Sequence, residues 1–304
     1  MSENRRIQKV LKSRPTIEGA GVHLHRAIGF SDPQVYDPFL LLDDFRSDTP
    51  AEYLKGFPWH PHRGIETITY VLAGDVEHQD SMGNGGDISA GDVQWMTAGN
   101  GILHQEMPRG DPLGRMHGFQ LWANLPATHK MMDPRYQGVT AGQIPEVTDA
   151  DGNKIKVICG EVGGTGGPVQ DIVTDPEYLD VTVRPGANFT RLTPRGHTVF
   201  AYVINGKGDF SRQRDPFSYE AEGENYFDME REQLIGNGHL VLFGDGDAVV
   251  VKAEQESVRF LLISGRPIRE PIAWQGPIVM NTQQELRTAF EELQRGTFIK
   301  SRGR

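Results

Sequence analysis

The chain has 304 residues and carries 31 Lys and Arg against 41 Asp and Glu, a formal net charge of −10. That acidic balance repels phosphate backbones and argues against direct nucleic-acid binding, while the single cysteine, Cys159, excludes an internal disulfide and argues against a thiolate metal site. MSENRRIQKV lacks the apolar core of a signal peptide and no apolar run reaches transmembrane length, so the expectation is a soluble cytoplasmic protein away from membranes, nuclear only in a eukaryote.

The 36 glycines and 19 prolines predict many turns between short strands, as in an all-β sandwich or barrel. In chain order, VHLHRAIGF alternates and predicts a strand. DPFLLLDDF, residues 37–45, reads as a buried strand. GIETITYVLAG, residues 64–74, is rich in β-branched and aromatic residues and predicts another. Three further strands follow, broken by SMGNGG, SAGD and AGNG, a spacing that suits an antiparallel barrel rather than βαβ units. LPATHKMMDPRYQG is less regular, and a DG turn precedes the strand KIKVICGEV.

The second half repeats the first in outline, with an acidic insertion at 209–238. The predicted division is an N-terminal barrel over 1–135 and a C-terminal barrel over 136–304. One helix is expected near 282–295: Asn281 or Thr282 caps it, Glu285 completes a capping box, Leu286, Phe290 and Leu293 form its apolar stripe, and Gly296 closes it.

The chemistry concentrates in two stretches. In FPWHPHRGIE, His60 and His62 are two residues apart and face one side of an extended segment, and Glu66 shares their parity if the strand runs on without a bulge. In GNGILHQE, His104 and Glu106 are again two apart. If the two segments are neighbouring strands, three imidazoles and a carboxylate converge, a donor set that suits iron, manganese, nickel, copper or zinc. Elsewhere, His78 and His129 sit in polar company and read as surface residues. His23 and His25 lack a matching second pair, and His117 reads as packing or as an outer hydrogen-bond partner. His197 and His239 have no co-facial partner, so no metal is expected in the second half. Phe57, Trp59, Met107 and Trp122 are candidate pocket walls.

The spacing G-x3-H-x-H-x3-E-x7-G from Gly56 to Gly74 is close to the first cupin motif, and GDVQWMTAGNGILHQE resembles the second. Together with DPFLLLDDF, GFQLWANLP and GPIVMNT, in order along nearly the whole chain, these motifs resemble the pirin family of bicupins. The resemblance implies two antiparallel β-barrels packed face to face with one metal in the N-terminal barrel. Carried over, its ligands are His60, His62, His104 and Glu106, whereas ordinary cupins use the carboxylate at the Glu66 position. It implies Fe(II) as the usual ion, with Ni, Mn, Cu, Co or Zn as alternatives. It further implies a quercetin 2,3-dioxygenase-like activity on a flavonol and dioxygen, with Glu106 or Glu66 taking the substrate proton. The other activity that the family offers is regulation, by metal-dependent binding of a protein partner. The expected state is a monomer.

Overall fold

The segment Ile65–Ala73, IETITYVLA, is extended because β-branched and aromatic side chains fit a pleated surface better than a helix. Seven of its nine residues are buried, so it must lie inside a sheet covered on both faces, and it does. It is central in a seven-stranded sheet ordered Arg135–Val139, Val93–Thr97, Ile65–Ala73, His117–Asn124, Phe39–Asp44, Val22–Ile28, Arg14–Glu18. Opposite stands a four-stranded antiparallel sheet ordered Phe57–His62, Ile102–Arg109, Asp75–Asp80, Gly85–Ile88. Val22, Leu24 and Val71 from the first sheet, with Phe45 just beyond its strand Phe39–Asp44, pack on Val76 and Ile88 from the second.

The structure is a computed structural model and describes residues 3–211, 215, 217–222 and 233–300. Its contacts divide the chain into two compact units. One comprises residues 15–141 and 268–304, the other residues 1–14 and 142–267. This differs from the division expected at 135/136. The strand Ile7–Lys12 belongs with the second unit, because it pairs with His239–Phe243. The C-terminal helix belongs with the first, because Leu286 and Ala289 bury against Ala273, Ile278 and Met280. Of the insertion expected at 209–238, residues 212–214, 216 and 223–232 lie outside the described residues.

Among the described residues, beside the short pair Glu161–Val162 and Thr165–Gly166, the second unit is also built on two main sheets, eight-stranded and four-stranded. Val181, Val203, Phe210, Val241, Val251 and Phe260 fill the space between them. Both units therefore have the jelly-roll build expected, with one correction: the sheets remain separate and do not close into barrels. In the first unit the chain passes from one sheet to the other at a turn. At Gly64 the backbone takes φ 78°, so the chain leaves the four-stranded sheet at His62 and enters the seven-stranded sheet at Ile65.

The helix runs Gln283–Gln294. Thr282 Oγ1 accepts from the Glu285 amide at 3.2 Å, and Glu285 Oε2 accepts from the Thr282 amide at 2.8 Å, the reciprocal capping box expected. Gly296 follows at φ 69°. Among the described residues no helix is long and apolar enough to cross a membrane.

Candidate metal centre

Strand geometry brings the histidines together in two moves. Alternation puts His60 and His62 on one side of Phe57–His62. Antiparallel pairing then sets His104 directly opposite His60, and Ile102 opposite His62. The ring centroids lie 4.8 Å apart for His60 and His62, 4.3 Å for His60 and His104, and 4.9 Å for His62 and His104. One nitrogen of each ring lies within 4.8 Å of the others. His62 and His104 are fully buried, and His60 is partly open.

Hydrogen bonding fixes how two of these rings present themselves. His60 Nδ1 lies 2.9 Å from the Pro58 carbonyl and His62 Nδ1 lies 3.1 Å from the Pro277 carbonyl. A carbonyl oxygen only accepts, so both Nδ1 atoms carry the proton, and in the neutral rings both Nε2 atoms carry lone pairs. Those two Nε2 atoms face each other at 3.1 Å. Two lone pairs at that separation repel, and either a proton on one of the two nitrogens or a metal ion held by both removes that repulsion. His104 adds a third ring whose nitrogens, both buried, make no hydrogen bond among the described residues. Burial pushes the His62 and His104 pKa values well below the usual histidine value, and the neighbouring His60 pushes both further. These rings are therefore held neutral, the form that ligates metal. The donor set fits a divalent transition ion, and the outer carbonyl partners are those expected of ligating imidazoles.

Glu106 stands beside this cluster, on the same strand as His104 and facing the same cavity. A register shift between His104 and Glu106 sets Glu106 opposite Phe57. Its carboxylate is held in place: Thr69 Oγ1 donates to Oε1 at 2.8 Å, and Gln120 Nε2 donates to Oε2 at 3.2 Å.

Glu66 is elsewhere, and the parity expected of it fails. The turn at Gly64 starts a new strand in the other sheet, so the phase set by His60 and His62 is lost. Thr69, three residues on, faces the cavity, so Glu66 points to the opposite face of its strand. There Glu66 Oε1 accepts from Thr97 Oγ1 at 2.7 Å. Burial raises its pKa, against the opposing effect of Thr97 and Trp95.

The expectation for His78 is also corrected. It is fully buried, with its ring 5.5 Å from that of His104 and stacked on Tyr136 at 5.4 Å. Val76, His78 and Asp80 are the inward residues of DVEHQD, and two of the three are polar, so composition pointed outward while alternation pointed inward. His78 Nε2 lies 3.5 Å from Asp80 Oδ2. His23 and His25 are exposed, and His117 Nε2 sits 3.5 Å from Asp44 Oδ1.

The cavity over the histidines measures about 400 Å³. Phe57 and Trp122 line it as expected. Trp59 does not: it is half exposed on the other side of its strand. Met107 alternates away from the cavity between Glu106 and Pro108 and packs by Gly56. Several participants were not singled out from sequence. Thr69 and Gln120 are ordinary polar residues in strands, and the only signal was that Gln120 shares parity with Trp122. Lys130 is buried, and its Nζ donates to the Gly64 carbonyl at 2.9 Å, Asn124 Oδ1 at 2.6 Å and the Val279 carbonyl at 3.1 Å. Burial lowers its pKa to about 7.

A two-sheet unit with an imidazole cluster on the inner face of its smaller sheet is a cupin, and the second unit repeats the build without contributing to the cluster. The comparisons with known proteins agree. Residues 21–123 match the Pirin family and residues 178–299 match the Pirin C-terminal cupin domain. A pirin-like protein of Caulobacter vibrioides is 42% identical over 295 residues, covering 97% of this chain and 99% of the relative. A Pseudomonas aeruginosa protein, provisionally named a quercetin 2,3-dioxygenase, is 37% identical over 300 residues, covering 97% and 99%. The crystal structure of a quercetin 2,3-dioxygenase from Acinetobacter baumannii superposes with a TM-score of 0.84 at 30% identity, covering 97% and 99% of the two chains. The chain belongs to the pirin family of bicupins.

Proposed function

We propose that this protein is a metal-dependent dioxygenase that opens a flavonol-like ring with release of carbon monoxide. The observation that carries the reading is the pair of Nε2 atoms 3.1 Å apart, each on a ring whose Nδ1 meets a backbone carbonyl, with His104 closing the cluster. The quercetin 2,3-dioxygenase to which the chain is similar over almost its whole length supports the choice of substrate.

In this reading His60, His62 and His104 hold the ion, Fe(II) first among the candidates, and Glu106 is the fourth donor. A bound ion would act as a Lewis acid on the adjacent hydroxyl and carbonyl of a chelating flavonol and would lower the hydroxyl's pKa. The chain's own residues do the rest. Glu106, held by Thr69 and Gln120, faces the space above the histidines and takes the hydroxyl proton. Phe57 and Trp122 flank a planar ring and keep water from it. His60, the partly open member of the cluster, marks the side by which substrate and dioxygen enter. Glu66, on the far face of the sheet, takes no part in this scheme.

The test is anaerobic purification with elemental analysis, followed by oxygen uptake with quercetin on the same sample. The expected result is about one ion per chain and flavonol-dependent uptake. Glu106→Gln should lower turnover by at least about 100-fold. A fall in metal content as well would show that Glu106 also holds the ion; retained metal would limit it to the proton-taking role. A metal-loaded protein with no uptake on any flavonol would overturn the reading.

A further inference from the structure

The cavity floor carries a row of polar side chains that the metal site does not account for. On the inner face of the seven-stranded sheet, Arg26 pairs with Asp43, Asp43 with Gln120, and Gln120 with Thr69, each directly across a strand boundary. All four line the cavity. At one end Thr69 and Gln120 grip Glu106. At the other, Arg26 donates through Nε and Nη2 to both oxygens of Asp43, at 2.8 and 2.7 Å, and through Nη1 to Glu18 Oε1 at 2.8 Å. Strands stand about 4.8 Å apart, so Asp43 lies roughly 10 Å from Thr69 and Arg26 roughly 14 Å.

Asp43 is almost fully buried, while Glu18 is half open at the rim. Leu24, Leu41 and Phe45 surround this end with apolar surface. An ion pair so placed adds little to stability, because taking the charges out of water offsets their attraction. Its three bonds use three of the five N–H groups of Arg26 and leave acceptor lone pairs on both carboxylates. A neutral ligand bearing hydroxyl groups satisfies both kinds of site: it donates to the carboxylates and accepts from the guanidinium. The separation sets where those hydroxyls must be, at the end of a rigid molecule remote from the chelating group.

We propose that Arg26, Asp43 and Glu18 form a second subsite of this cavity that binds vicinal hydroxyl groups on the far ring of an elongated polyphenol whose near end chelates at the histidines. This rests on the reading of the site given above. The subsite makes the protein selective among flavonols by their pendant-ring hydroxylation.

The test is equilibrium binding, under nitrogen, of two flavonols to the Fe(II)-loaded protein: quercetin, with two adjacent hydroxyls on the pendant ring, and galangin, with none. The wild-type protein is expected to favour quercetin by about tenfold or more, the worth of a hydrogen bond to a charged group. In Glu18→Gln and in Asp43→Asn that ratio should fall to within about threefold. Glu18 is half exposed, so its variant decides the matter if Asp43→Asn fails to fold. An unchanged ratio in the folded variants, or no wild-type preference, overturns the subsite and leaves the metal reading standing. If neither flavonol binds, or binding is the same in metal-free protein, the metal reading fails and the subsite fails with it.

Discussion

His60, His62 and His104 do different physical jobs although they are the same residue type. His60 and His62 are oriented by carbonyl oxygens through Nδ1, so their tautomers are set by backbone before any ion arrives. His104 has no such partner among the described residues and is positioned by its strand and by ring contacts with His60, His62 and His78. Replacing His104 by Ala should weaken metal binding by more than the roughly 10–100-fold that loss of an outer partner costs, with the fold retained. Elemental analysis beside a thermal melt checks this, and unchanged metal content would remove His104 from the ligand set. The lowered pKa values of His62 and His104 predict a direction in pH. The unfolded chain binds protons near 6.5 that the folded protein refuses, so the contribution to stability is present above that value and is lost as pH falls below it. The metal-free protein should therefore melt several degrees lower at about pH 5 than at about pH 8. Equal melting temperatures would mean that the rings accept protons in the folded state.

Among the elements, the turn between Phe57–His62 and Ile65–Ala73 decides the most. It carries the chain from one sheet to the other, and the Val279 carbonyl of Ile278–Met280 packs against it closely enough that a Cβ on Gly64 would lie 1.9 Å from that oxygen. Lys130 ties the same carbonyl to the Gly64 carbonyl. Gly64→Ala should cost about 3 kcal/mol and should loosen metal binding, because His62 is two residues away and its Nδ1 partner, Pro277, belongs to the adjoining hairpin. Chemical denaturation and a metal titration measure the two effects. A stable variant with normal metal affinity would show that the turn tolerates a side chain and does not position His62.

At the scale of the molecule, the unit that carries the histidine cluster is assembled from two stretches far apart in sequence, residues 15–141 and 268–304. Arg63, buried beside the ligand strand, joins them. It donates to the Asn100 carbonyl at 2.7 Å from Nε, to Glu292 Oε2 at 2.8 Å from Nη1, and to the Phe298 carbonyl at 2.8 Å from Nη2. Removing one partner of such a buried network leaves the others unpaired, so Arg63→Ala should destabilise the protein by about 3–5 kcal/mol. A loss under about 1 kcal/mol in a denaturant titration would mean that the apolar contacts of Leu286 and Ala289 alone hold the C-terminal segment.

Much of this was legible in the residues. Turn spacing and alternation gave an all-β chain, because period-two patterning is a local property of each strand. H-x-H and H-x-E gave co-facial pairs for the same reason, and the helix with its capping box followed from five adjacent residues. What the sequence could not carry was anything that depends on which strands become neighbours. The opposition of His60 and His104 is a register between segments forty residues apart. The turn of Glu66 away from the cluster follows from one glycine turn that resets parity, and the inward face of His78 from a strand two of whose three buried positions are polar. The pairing of the first strand with the second unit, the docking of the C-terminal helix on the first, and the row from Arg26 to Thr69 are likewise set by long-range pairing. Local chemistry fixed the donors; only tertiary packing decided which of them meet, because burial and cross-strand register are properties of the assembled sheets and not of any one segment.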